Sequence, residues 1–118
     1  MNIEEYRDYC LSLPEVTEGF PFGDETLVMK VRGKVFTLAS LGADFTFNVK
    51  CDPEKAIELR ETFSEVLPGY HMNKKHWNTI IPNGSASDAL LREWIHDSYR
   101  LVVAKLPLSE RKTLLSAS

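Results

Sequence analysis

The chain has 118 residues, of which 43% are apolar and 26% charged, and its net charge is −3. This length suits a single domain over residues 1–118 with a core that needs no staples, and the acidic balance argues against a globally basic nucleic-acid binder. No apolar run approaches the ~20 residues of a membrane span, and Met1-Asn2-Ile3-Glu4-Glu5 lacks a basic-then-apolar signal pattern, so a cytoplasmic protein with no membrane partner is expected.

Asn2 followed by Glu5 reads as a helix start, with Asn at the cap and Glu three residues on. Ile3, Tyr6, Cys10 and Leu13 recur at helical spacing until Pro14 limits the run. Segment 15–23 carries Gly19, Pro21 and Gly23 and reads as a loop, with Phe20 and Phe22 expected to pack inward. Thr26–Val31 and Lys34–Ala39 are strand-like and joined by Arg32-Gly33, where glycine supplies a positive φ. Leu27, Met29 and Val31 share one face, and Lys30 lies on the other. Phe45–Lys50 alternates Phe45, Phe47 and Val49 with Thr46, Asn48 and Lys50, as a strand with one solvated face does.

Asp52-Pro53-Glu54 places a cap, a first-turn proline and an acid where a helix wants them. Ala56, Leu59 and Phe63 form its buried stripe. Pro68-Gly69 breaks the chain. Tyr70–Met72 and Asn78–Ile81 read as two short strands around Asn73–Trp77. Ser85 with Asp88 reads as a capping box for a long helix over about 86–105, with Leu90, Leu91, Trp94, Ile95, Leu101 and Val102 on its inner side. Pro107 ends it and opens a short last helix. The order α-β-β-β-α-β-β-α, closed by that short helix, predicts a two-layer α+β domain with an antiparallel sheet.

Charge is uneven along the chain. Residues 1–25 hold Glu4, Glu5, Asp8, Glu15, Glu18, Asp24 and Glu25 against Arg7, a net of −6, so the remainder carries +3. Local field rather than total charge steers a charged partner. Lys74, Lys75 and His76 fall in one predicted turn, and Arg32 and Lys34, with Lys30 nearby, in another. Two hairpins with basic tips suit a phosphate backbone, with Asn73 and Asn78 as positioning hydrogen-bond donors. Trp77 has two readings: exposed, it stacks on a base; buried, it anchors its turn. The basic tips have a plainer reading too, as solvated loops whose lysines blunt sheet edges.

Enzyme chemistry has little to stand on. There is no GxxxxGK[ST] or GxGxxG loop, no metal-ligand spacing and no nucleophile elbow, so no catalytic residue, cofactor or metal is expected. Cys10 and Cys51 are expected as reduced thiols. Cys51 stands before a helix N-terminus, a place that lowers a thiol's pKa; the plainer reading is an inert strand-end thiol.

The string His71-Met72-Asn73-Lys74-Lys75-His76-Trp77-Asn78-Thr79 resembles the hallmark segment of the MmcQ/YjbR family. So do Pro21-Phe22-Gly23, Gly33-Lys34-Val35-Phe36, Lys50-Cys51-Asp52-Pro53, Pro68-Gly69-Tyr70 and Asp97-Ser98-Tyr99-Arg100-Leu101-Val102, in the family's order over residues 3–106. The resemblance implies a two-layer fold related to secretion-chaperone-like and frataxin-like domains. It also implies DNA binding through a "double wing" of hairpins. The matching positions are Lys34, Lys50, His71, Asn73, Lys74, Lys75, His76, Trp77 and Asn78. Tyr70, Trp77, Ser98 and Tyr99 are expected to pin the second hairpin to the long helix. The rival reading is a protein-interaction adaptor using the acidic first helix. A minor one is a small-molecule or anion pocket formed by Lys50, His71, His76 and Trp77. A monomer is expected.

Overall fold

The computed structural model describes residues 1–69 and 72–117. Helix α1 (Ile3–Ser12) begins with the expected capping box: the Asn2 side chain accepts from the Glu5 amide, and the Glu5 carboxylate accepts from the Asn2 amide. It ends at Leu13, just before Pro14. The following segment departs from expectation. Residues 16–19 form a strand, β1 (Val16–Gly19), because four extended residues find an antiparallel partner in the strand after them. Phe20 and Phe22 do not pack inward; they are 50% and 72% exposed.

Strands β2 (Thr26–Val31) and β3 (Lys34–Ser40) form the predicted hairpin. Arg32 and Gly33 both take positive φ, 51° and 79°, the turn whose twist matches its strands. Leu27, Met29 and Val31 are buried in the core. The register slips between Met29 and Lys30, so β3 holds one extra residue. Consecutive Phe36 and Thr37 are therefore both buried, and Val35 turns to the opposite face beside Leu38. Strand β4 (Thr46–Lys50) alternates as predicted, with Phe47 and Val49 buried.

Helix α2 (Pro53–Thr62) is capped by Asp52, which accepts from the Glu54 and Lys55 amides. The predicted second strand pair is shifted. Tyr70 and His71 lie outside the described residues, and Met72 forms a bend. Strand β6 (Trp77–Ile80) pairs instead with β5 (Val66–Pro68). A proline is tolerated there because β5 is an edge strand. The cap of α3 (Asp88–Val103) is Ser87, not Ser85, and α4 (Leu108–Ala117) follows Pro107. The Ser85 hydroxyl instead donates to the buried carboxylate of Glu65, which also accepts from the Asn83 amide.

All strand pairs are antiparallel, in the order β1-β2-β3-β4-β6-β5. The helices pack on one face around Tyr6, Phe36, Phe47, Ile80, Ile95 and Tyr99. The result is a two-layer α+β fold, as predicted, with one more strand than expected. No helix among the described residues is long and apolar enough to cross a membrane.

Candidate nucleic-acid interface

Antiparallel pairing brings the chain's basic segments to one end of the sheet. Lys34 opens β3, Lys50 closes β4 and Trp77 opens β6, and Lys50 and Trp77 are direct cross-strand partners. The Arg32-Gly33 turn projects from this end. So does the connection between β5 and β6, whose His76 carbonyl accepts from the Cys51 amide at 2.7 Å. Strands β3 and β6 flank β4, so the inner strands of the two basic turns lie about 10 Å apart.

Residues 73–77 of the second connection are tightly folded. The Asn73 carbonyl accepts from the His76 and Trp77 amides, and the Asn73 side chain accepts from the Lys75 amide at 2.9 Å. This Asx-type turn leaves Lys74 and Lys75 exposed at its crest and His76 half-buried behind them. At its base the Gly69 amide donates to the Trp77 carbonyl at 2.8 Å, and a Cβ on Gly69 would lie 2.8 Å from the Cβ of Trp77. Trp77 itself is half-buried, so neither extreme sequence reading describes it.

A third group arrives from a place the sequence does not mark. Lys105, in the turn between α3 and α4, lines a hollow of about 330 Å³ with Lys34 and Lys50 over Val35, Val102 and Leu106. Burial, and then the nearby Lys105 ammonium, push the Lys50 pKa down. Among the described residues none of Lys34, Lys50, Lys74, Lys75 and Lys105 is paired with a carboxylate. The acids nearby are engaged: Glu15 and Glu110 hold Arg32 at 2.9 and 3.4 Å, Asp97 holds Lys55, and Asp52 caps α2.

Not every predicted site residue joins this end. Arg32 points into its two carboxylates. Lys30 lies on the helix-free face against Thr17 and Glu18 of β1. Asn78 is fully buried on the helix side, where its amide donates to the Ala56 carbonyl at 3.3 Å; its Oδ1 has no partner among the described residues. Asn78 braces α2 and takes no part in the surface. His71 lies outside the described residues.

Ser98 and Tyr99 pin different elements from those expected. The β3–β4 ladder stops at Thr37–Val49, and Ser98 fills the gap beyond it. Its hydroxyl donates to the Phe36 carbonyl and accepts from the Lys50 amide at 2.7 Å. The Tyr99 hydroxyl donates to the Pro14 carbonyl at 2.8 Å. Neither thiol is activated: burial pushes Cys10 up to about 12, and at Cys51 burial outweighs the nearby Lys55 ammonium and raises the pKa. Cys51 thus follows its plainer reading, an inert thiol at the end of a strand.

The helix-free face above this end holds a second hollow, of about 440 Å³. Phe22 walls one side, Met72 and Trp77 another, and Leu38, Ser40 and Asn48 lie among its floor residues. Val35 lines both hollows.

The YjbR family model matches residues 11–101. The uncharacterised protein YbdF of Escherichia coli O157:H7 is 42% identical over 111 residues, spanning 92% of this chain and 90% of that one. The uncharacterised protein YjbR of Escherichia coli K12 is 30% identical over 116 residues, 98% of each chain. Among solved structures, a Deinococcus radiodurans protein superimposes with a TM-score of 0.89 at 39% identity, over 96% of this chain and 87% of its own. A Pseudomonas syringae protein does so at 0.75 and 25% identity, over 86% and 98%.

Proposed function

The chain belongs to the YjbR family, and from that premise we propose that it is a non-catalytic DNA-binding protein. One observation carries the reading: five lysines from four segments meet at one end of the sheet without a carboxylate partner among the described residues. Such a field attracts a phosphate backbone despite the net charge of −3. The two turns act as wings, Lys34 on one and Lys74 and Lys75 on the other, with Lys50 and Lys105 between and behind. The rival adaptor reading draws support from the exposed Glu4, Glu5 and Asp8 of α1.

Fluorescence anisotropy of labelled duplex DNA across ~50 to ~200 mM salt tests the reading. Five phosphate contacts give a slope of log K on log salt of about −4.5. Lys74→Ala with Lys75→Ala reduces its magnitude by about two, and Arg32→Ala, already neutralised by Glu15 and Glu110, changes it by well under one. An unchanged slope in the double variant, or no binding at the lower salt, refutes the proposal.

A further inference from the structure

Duplex binding would use the lysines and leave the aromatic groove beside them idle. That groove has the make-up of a ligand site: a volume of about 440 Å³, two aromatic walls, and Thr26, Ser40 and Asn48 as its polar groups. Phe22, 72% exposed to water, gains little from folding unless something covers it. Among the described residues, no carboxylate lines either the groove or the adjoining lysine hollow.

The two hollows share Val35 in their linings, and Lys50 of one is the cross-strand partner of Trp77 of the other, so the aromatic groove adjoins a cluster of three ammonium groups. That juxtaposition matches a planar ring joined through a short linker to a phosphate. Resting on the DNA-binding reading above, we infer that the preferred form is a single strand, with one base lying against Trp77 and Phe22 and its phosphate held by Lys34, Lys50 and Lys105. In a duplex the faces of the bases are stacked on one another and unavailable; only an unpaired base can offer its face to an aromatic side chain. Thr26, Ser40 and Asn48 supply polar contacts to the edge of the base. Stacking tolerates any base, so sequence preference is weak.

The test compares an oligothymidylate of about 12 nucleotides with a duplex of the same length at ~50 mM salt, reading anisotropy and tryptophan emission together. Trp94 is 3% exposed, so quenching reports on Trp77. The single strand is expected to bind more tightly and to quench emission. Phe22→Ala, a change at an exposed position, weakens the single strand about tenfold and the duplex by less than about twofold. Lys105→Ala weakens both. Equal or tighter duplex binding without quenching, or a single strand indifferent to Phe22→Ala, overturns the inference and leaves the DNA-binding reading standing. Failure of both nucleic acids to bind overturns both.

Discussion

Replacing Ser98 with alanine removes a hydroxyl that bonds α3 to both β3 and β4 where their ladder ends. Ser98 is fully buried, and its hydroxyl serves the Phe36 carbonyl and the Lys50 amide at once. The Phe36 carbonyl lies in a buried setting, so its loss of a partner costs about 1–3 kcal/mol. The Lys50 amide is partly buried and regains water, at about 0.5–1.5 kcal/mol. The side chain loses only one oxygen, so the cavity contribution is small. The sum is about 1.5–4.5 kcal/mol, a large share of the ~5–15 kcal/mol that holds a domain of this kind together. Urea unfolding followed by far-ultraviolet circular dichroism reads this as a midpoint lowered by about 1–2 M, taking a slope of about 2 kcal/mol per molar. Amide exchange at Lys50 should quicken in the same variant. A midpoint within about 0.3 M of the parent at unchanged slope would refute the reasoning. It would mean that the strands close the gap unaided, and that Ser98 does not position Lys50.

Two further outcomes follow from the site's scaffold. Gly69→Ala forces a Cβ to within 2.8 Å of both the Trp77 Cβ and the Trp77 carbonyl, so β5 and β6 must part; the expected loss is about 1–3 kcal/mol, measured as a fall in melting temperature, and an unshifted melting curve contradicts the close approach. The Cys10 thiol, held up to about 12 by burial, should resist alkylation by iodoacetamide at about pH 8 until the chain is unfolded, whereas rapid labelling of the folded protein would show that the site opens.

Local rules account for what was legible in the sequence. The Asn2/Glu5 box, the Asp52-Pro53 start, the Arg32-Gly33 turn and the alternation of Phe47 and Val49 each depend on residues a few positions apart. Failures came where a distant partner decides. Val16–Gly19 becomes a strand because β2 offers an edge, and Val66–Pro68 does so beside β6 despite its proline. Phe20 and Phe22 carry the composition of core residues, yet the turn that ends at Gly23 (φ +111°) leaves them exposed. Asn78 sits inside the most basic stretch of the chain, but its strand parity sends it under the sheet. Lys105 has no local signal; only the closure of α3 against the hairpin brings it to Lys34 and Lys50.

The proline in β5 has a consequence for how copies of the molecule meet. The Ile81 amide donates to the Glu65 carbonyl and the Gly69 amide to the Trp77 carbonyl, so Glu65, Leu67 and Gly69 turn their backbone polar groups toward β6. Val66 and Pro68 are left to face outward. The Val66 amide is already spent on the Phe63 carbonyl, and Pro68 has none. Among the described residues, the Val66–Pro68 edge therefore offers an incoming strand carbonyl acceptors but no donor. Ladder growth needs both. One imino acid and one short loop thus remove the donors that edge-to-edge stacking of the protein on itself would need along Val66–Pro68.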